Sequence, residues 1–254
     1  MQAKNQIQFI PGIQSVREAM LNNRGSIAEI WVDRGKSSPR IREIIELAER
    51  HNIPVLEKDT VTLEMVLPGT NHQGITALTE CFSYTELADL INSSNSLRGK
   101  RLFLAIDHIT DEGNLGAILR TSAFFGVNGV IIPKDRSARV SGGVMKRSSG
   151  GHAHVPVSLV VNLGRAIETL DEAGFWIIGT SGDGNETIYD FKFSGDILLI
   201  VGNEEKGISP VVLKRCHQVL NIPSGGKINA LNVSVAAGVV ISEIMRQRKT
   251  TGCC

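Results

Sequence analysis

Hydrophobic and polar positions along this chain follow two different rules, and the change between them divides it. Up to about residue 80 the apolar positions are periodic. In Gly12-Ile-Gln-Ser-Val-Arg-Glu-Ala-Met-Leu21 and Pro39-Arg-Ile-Arg-Glu-Ile-Ile-Glu-Leu-Ala-Glu-Arg50 they recur at helical spacing, which predicts two amphipathic helices. Ile27 to Val32, Ile53 to Leu56 and Gly74 to Thr79 read as strands, with a short helix between Val61 and Leu67. From Arg101 onward the strand-like runs are apolar almost throughout: Leu102 to Ile106, Val130 to Ile132, Phe175 to Ile178, Ile197 to Val201 and Val219 to Ile222. Strands buried on both faces have this composition, so a mostly parallel sheet covered by helices is expected. Between the two regions, Asn92-Ser-Ser-Asn-Ser96 and Arg98-Gly-Lys100 make a polar joint with one short helical turn. The organisation predicted is an N-terminal α/β domain over 1–80, a linker over 81–100, a larger α/β domain over 101–248 and a flexible tail over 249–254.

In open parallel sheets ligands bind beyond the carboxyl ends of the strands. Three segments fall at such ends. The first is Ile106-Asp-His-Ile-Thr-Asp-Glu-Gly-Asn-Leu-Gly-Ala-Ile-Leu-Arg-Thr-Ser-Ala-Phe-Phe-Gly126, the second Leu199-Ile-Val-Gly-Asn-Glu-Glu-Lys-Gly-Ile208, and the third runs from Asn221-Ile-Pro through Leu231-Asn-Val-Ser234 to Val235-Ala-Ala-Gly238. The loop Gly179-Thr-Ser-Gly-Asp-Gly184 follows Ile178 in the same way. None of these loops supplies the Gly-x-Gly-x-x-Gly of a dinucleotide fold.

Composition narrows the class. The chain has 254 residues, 42% of them hydrophobic, and a net charge of +1, values of a globular protein without the strong basic excess of a dedicated nucleic-acid-binding domain. Charge placement points the other way, since Lys134-Asp-Arg-Ser-Ala-Arg-Val-Ser-Gly-Gly-Val-Met-Lys-Arg147 carries five basic residues against one acid. Arg136, Arg139, Lys146 and Arg147 are candidate RNA phosphate contacts; a solvated loop is the other reading. No apolar run reaches the roughly 20 residues of a membrane helix and the N-terminus lacks a signal-like core, so a cytoplasmic protein is expected. Cys81, Cys216, Cys253 and Cys254 have no metal-binding or disulfide spacing and are expected to be reduced thiols. His152-Ala-His154 places two imidazoles on one face if it is a strand, too few to hold a metal unaided, so no metal is expected.

The individual residues admit two readings each. Asn114 stands where loop meets helix and either caps that helix or acts in chemistry. Arg120 points away from the apolar face made by Leu115, Ile118, Leu119, Ser122 and Phe125, as a solvated arginine would too. Glu204 and Glu205 suit a solvent-facing loop or a site, Ser209-Pro210 starts a helix with serine as cap, and Asn232 is a natural helix cap.

The three segments, in this order, resemble the signature of the SpoU (TrmH-type) family of RNA ribose 2′-O-methyltransferases in the SPOUT superfamily. The resemblance implies a fold with a deep trefoil knot, S-adenosylmethionine as cofactor, RNA as substrate and a homodimer. It implies an active site formed by Asn114, Arg120, Glu204, Asn232 and Ser234, with Gly202, Ile222 and Leu231 around the cofactor; Thr180, in the loop that follows Ile178, is expected there from its place at a strand end. Arg120 is often drawn as a base in this family, yet guanidinium stays protonated in proteins. A bidentate contact to the phosphate beside the target hydroxyl suits it better, which leaves the proton acceptor open. Two positions depart from the pattern: Ser224 stands where most relatives carry methionine after Ile-Pro, and Ala230 where they carry serine before Leu-Asn. Gly12-Ile-Gln-Ser-Val-Arg-Glu-Ala19 and His72-Gln-Gly74 resemble the L30e-like substrate-binding domain of the branch that methylates a guanosine of large-subunit ribosomal RNA. Enzymes acting on transfer RNA, and a non-catalytic RNA-binding protein that keeps the fold, are the alternative readings.

Overall fold

The computed structural model describes residues 7–22, 27–80, 82–95, 100–228 and 230–251. Cys81, Ser96, Arg98 and the Cys253-Cys254 pair lie outside them. The chain forms two compact units, one of residues 1–83 with 139–154 and the other of residues 84–138 with 155–254.

The first unit begins with β1 (Ile7–Pro11), α1 (Ile13–Asn22), β2 (Ile27–Asp33), α2 (Pro39–Arg50), β3 (Val55–Lys58), α3 (Thr60–Val66) and β4 (Ile75–Glu80), with sheet order β1-β4-β2-β3. Helix α2 starts as its sequence dictates: Ser38 accepts from the Ile41 amide, Pro39 fills the first turn, and Ile41, Ile44 and Ala48 are buried on one face. The β1 strand was not legible from pattern, because Ile7-Gln-Phe-Ile-Pro is short and ends in proline.

The chain continues through α4 (Leu87–Asn95), β5 (Leu102–Ile106), α5 (Glu112–Phe125) and β6 (Gly129–Pro133). Helix α4 corrects the linker expected over 81–100: it is nine residues long and buries Leu90 and Ile91 in the core of the second unit. The basic run is also not one loop. Residues 142–147 form helix α6 (Gly142–Arg147), capped by Ser141 and burying Val144 and Met145, and a 3₁₀ turn follows at Gly151–Ala153. This stretch packs with the first unit. A side chain on Gly142 would place its Cβ 2.2 Å from the Phe9 carbonyl oxygen, so the glycine read as loop punctuation is a packing requirement.

The turn at 151–153 also settles the two histidines. His152 is buried, with Nδ1 2.9 Å from the Ser148 hydroxyl, while His154 Nε2 lies 2.7 Å from Glu18. Burial, helped by the charge of His154, pushes the His152 pKa down to about 4. Above about pH 6.5 the ring is neutral folded and unfolded; below it only the unfolded chain takes up the proton, until the folded ring titrates too. Stability is therefore expected to fall as pH drops from about 6.5 to 4, with a contribution of about 3 kcal/mol from this residue. Urea midpoints across that window check it: His152→Gln should start less stable and decline less steeply, and parallel declines would assign the effect elsewhere.

The second unit is completed by β7 (Val157–Val160), α7 (Leu163–Glu172), β8 (Trp176–Thr180), β9 (Glu186–Thr187), β10 (Ile197–Val201), α8 (Pro210–Leu213), β11 (Gln218–Asn221) and α9 (Val233–Thr251). Its seven-stranded sheet has the order β7-β6-β5-β10-β8-β11-β9, with every described pairing parallel. All residues of β5, β6 and β10 are buried, as their apolar composition demands. From β5 the order runs to β6 and β7 on one side and to β10, β8 and β11 on the other, so the crevice between β5 and β10 is the topological switch point. Helix α9 extends through Lys249 to Thr251, three residues expected in the flexible tail.

Candidate active site

The loops after β5 and β10 meet at this crevice. Gly202 leaves β10 and the chain doubles back at once: Asn203 and Gly207 exchange backbone hydrogen bonds of 3.0 and 2.8 Å. A Cβ on Gly202 would sit 2.2 Å from the Gly207 carbonyl carbon and the Ile208 nitrogen, so only glycine closes this turn. The Asn203 amide group donates to the His108 carbonyl at 3.1 Å, and its oxygen accepts from the Glu205 and Lys206 amides. At the loop's far end the Ser209 amide donates to Asp107 at 2.7 Å. Ser209 precedes α8 as expected, but its side chain makes no cap bond; Pro210 occupies the first turn.

Glu204, at the tip, gathers the other segments. Its Oε1 accepts from Asn114 Nδ2 at 3.0 Å, from Asn232 Nδ2 and from the Val233 amide at 3.3 Å, and Asn232 Nδ2 also donates to Asn114 Oδ1 at 2.9 Å. Asn232 Oδ1 accepts from the Ser234 amide at 2.9 Å and from the Ser234 hydroxyl. Four of the five residues picked out by the resemblance, from three distant segments, thus form one hydrogen-bonded cluster. Arg120 is exposed on α5 six positions beyond Asn114, roughly 9 Å along the helix axis.

The capping alternatives resolve differently for the two asparagines. Asp111 caps α5 by accepting from the Asn114 amide at 2.7 Å, which leaves the Asn114 side chain to the cluster. Asn232 does both, its oxygen serving the first turn of α9 and its nitrogen serving Glu204. Asn232→Asp separates these roles, because aspartate caps as well but carries no donor and brings a second carboxylate against Glu204. The variant is expected to remain folded and to lose about 100-fold in the methyl transfer that the resemblance implies. Thermal denaturation beside a transfer assay checks this; wild-type turnover would remove the cluster from the chemistry.

Beside Glu204 a cavity of about 410 Å³ opens beyond the ends of β8, β10 and β11. Thr180, Gly202, Ile222 and Leu231 all line it, with Val201, Leu220 and Val233 as further apolar wall. The volume and largely apolar walls are those of a small-ligand pocket. Thr180 spends its hydroxyl on the Ile200 carbonyl at 3.2 Å and so contributes surface more than a free donor.

The basic candidates divide between the units. Exposed Arg136, at φ +55°, belongs to the second; Arg139, Lys146 and exposed Arg147 belong to the first. Lys146 is half-buried on α6, and burial together with the neighbouring Arg147 charge lowers its pKa. Sequence reading missed Asn203 in the cavity lining and the contacts of Asp107 and His108 with the Glu204 loop. Asp107 offered a signal, since a carboxylate directly after an all-apolar strand end is a costly residue to bury without partners.

Residues 101–242 match the SpoU rRNA Methylase family, and residues 9–85 match the family described as RNA 2′-O ribose methyltransferase substrate binding. The chain belongs to the SpoU family. A 23S rRNA (guanosine-2′-O-)-methyltransferase RlmB of Xylella fastidiosa is 37% identical over 98% of this chain and 99% of its own length. An uncharacterized tRNA/rRNA methyltransferase of Synechocystis is also 37% identical, over 97% of this chain, which spans only 64% of that protein. Among solved structures, the SpoU methyltransferase AviRb of Streptomyces viridochromogenes in complex with AdoMet superposes with a TM-score of 0.81, covering 96% of this chain and 91% of that one at 22% identity.

Against the SpoU pattern, the two departures both fall on the cavity lining. The Ser224 hydroxyl donates to the Ile228 carbonyl at 2.8 Å and accepts from the Gly226 amide at 3.3 Å. It staples its own loop, where a methionine would supply apolar surface. Ala230 removes a hydroxyl from the rim.

Proposed function

We propose that this chain methylates the ribose 2′-hydroxyl of a guanosine in large-subunit ribosomal RNA, with S-adenosylmethionine as methyl donor. The observation that carries the reading is the adenosyl-sized cavity lined by Thr180, Gly202, Ile222 and Leu231 directly beside the Asn114–Glu204–Asn232–Ser234 cluster. Family membership supports the reaction, and near full-length similarity to RlmB proteins supports the acceptor.

The methyl donor supplies an electrophilic carbon; the chain supplies position, which is worth several kcal/mol in such a displacement. The Gly202 turn keeps backbone close to the cavity. Glu204 holds Asn114 and Asn232 in one arrangement at its edge, so that their polar groups orient the ribose. Arg120 binds the phosphate next to the target hydroxyl, a role that its permanent charge and planar fork suit. Arg136, Arg139, Lys146 and Arg147 neutralise phosphates farther along the RNA.

The reading includes a homodimer, the trefoil knot of the family and action in the cytoplasm. For the dimer, support comes from the apolar groove between α5 and α9, where Tyr189 is 57% and Val235 51% exposed. No described helix is long and apolar enough to cross a membrane.

The test is transfer of labelled methyl from S-adenosylmethionine to total RNA lacking native ribose methylation, followed by mapping. A single labelled guanosine ribose in large-subunit RNA is expected. Label confined to transfer RNA would move the chain to the other substrate branch, and cofactor binding without label on RNA or ribosomal precursors would leave it a binding protein.

A further inference from the structure

The turn His72-Gln-Gly74 belongs to the first unit and leads into β4. Strands β1 and β2 both run antiparallel to β4, and β3 runs parallel to β2. The carboxyl ends of three strands therefore meet the start of β4 at one end of the sheet, the kind of place where α/β sheets collect ligands. Each side chain of the turn is fixed at one atom and open at another. His72 is 5% exposed, and its Nδ1 accepts from the Gly74 amide at 3.1 Å. Gln73 is exposed, holds a left-handed backbone at φ +57°, and gives its Oε1 to the Ile13 amide at the start of α1, at 3.1 Å. Asn71 Oδ1 accepts from the Gln73 amide at 3.2 Å and pins the turn. Among the described residues nothing accepts from His72 Nε2 or from the side-chain nitrogen of Gln73. A purely structural tie between α1 and β4 uses only Nδ1 and Oε1, and it leaves a donor without a partner on a deeply buried ring.

Two ammonium groups stand near these nitrogens. The Lys36 stem lies across Gly74, its Cδ 2.9 Å and its Cβ 3.0 Å from where a Cβ on that glycine would be, and the Asp33 amide donates to the Gly74 carbonyl at 2.9 Å. Lys146 is on α6, where the neighbouring Met145 carbonyl accepts from the Ser15 hydroxyl of α1 at 3.4 Å. Neither ammonium has a hydrogen bond or ion pair among the described residues. Burial lowers the His72 pKa, and the charges of Lys36 and Lys146 add to this against those of Asp33 and Glu64. The ring is therefore neutral at neutral pH, and with Nδ1 an acceptor its proton is on Nε2.

The nearby carboxylates are otherwise engaged or outlying. Asp33 is 2% exposed and spends its oxygens on the Gly35 amide and the Thr60 hydroxyl, while Glu64 is exposed on α3. The atoms left over are donors only: an imidazole N–H, an amide NH₂ and two ammonium groups. Such a set fits a group that only accepts. An RNA backbone phosphate is that group, whereas a peptide strand would bring N–H donors of its own. We propose that His72, Gln73, Lys36 and Lys146 bind a backbone phosphate of the RNA substrate and make this end of the first unit its recruitment site, an inference that rests on the RNA methyltransferase reading above. The two neutral donors, each held at its other end, fix where the phosphate sits; the lysines supply the attraction.

Gln73→Glu separates recruitment from the structural tie. It keeps an oxygen for the Ile13 amide, where a carboxylate suits the start of a helix better than an amide does, and it sets a negative charge against the phosphate. In the full-length protein the thermal midpoint is expected to hold or rise. Affinity for unmethylated large-subunit ribosomal RNA should fall by about 10- to 100-fold, with S-adenosylmethionine affinity within about twofold of wild type. Lys36→Met and Lys146→Met keep the apolar stems and remove the charges, and each should flatten the slope of log affinity against log salt by about 0.7 to 0.9. The His72 Nε2 signal in a ¹⁵N spectrum should move when the RNA binds. Wild-type RNA affinity in Gln73→Glu, unchanged salt slopes in the lysine variants, or a ring signal that stays still would each overturn the proposal. Wild-type protein that binds no RNA would overturn it together with the function it rests on. RNA binding that meets these expectations without any methyl transfer would uphold the recruitment site and defeat the methyltransferase reading alone.

Discussion

Gly202→Ala is expected to abolish measurable binding of S-adenosylmethionine and to destabilise the second unit by at least about 3 kcal/mol. The added methyl would meet main-chain atoms of Gly207 and Ile208 at 2.2 Å, and a backbone bridge cannot swing aside as a flexible side chain can. Relief requires opening the Asn203–Gly207 exchange, which carries Glu204 away from Asn114 and Asn232. Isothermal calorimetry with the cofactor and a chemical denaturation curve read the two effects separately. Retained affinity with wild-type stability would show that the loop closes in another way. Gly207→Ala is the informative control, since its Cβ meets nothing within 4 Å and only its φ of +65° resists substitution.

Arg120→Ala should have the opposite signature. The side chain is exposed on α5 and lies outside the cavity lining, so folding and cofactor affinity are expected to stay near wild type. Transfer should fall by about 10²- to 10³-fold, the scale of losing one preorganised charge-stabilising contact. Arg120→Lys should recover little, because an ammonium cannot reproduce a two-pronged contact to phosphate. Near-normal turnover in the alanine variant would take Arg120 out of the mechanism. The contrast with Gly202→Ala is diagnostic: one substitution removes the cofactor and the other leaves it bound but idle.

Much of this was legible in the amino-acid order because the deciding features are local. The strands Leu102 to Ile106 and Ile197 to Val201 were read to the residue, since burial on both faces leaves no polar position to blur their ends. Asn114, Glu204, Asn232 and Ser234 were singled out through the resemblance; the residues themselves left Asn114, Glu204 and Asn232 open to a capping or solvent-facing role. What the sequence did not show was their partnership across 90 or more positions, as between Asn114 and Glu204, because no periodicity encodes it. The misread segments share a cause. Helix α6 is six residues long and begins Gly-Gly, a composition that signals a loop, and it exists because Gly142 admits it against Phe9. Helix α4 hid in a polar stretch in which only Leu87, Leu90 and Ile91 face the core. Tertiary packing overrode local propensity in both.

The return of residues 139–154 to the first unit also sets an order of events on the ribosome. Residues up to Ser83 leave the exit tunnel without the partner that α6 provides, and the missing piece arrives only with His154, roughly 70 residues later. At about 5–20 residues per second that delay amounts to several seconds. During it Phe9 and the surface around it wait for α6, while the strands β5 and β6 have already emerged without β10. Neither half of this protein is finished by its own sequence, so the nascent chain passes through an interval in which two incomplete cores are exposed together, the period when a chaperone would have most to protect.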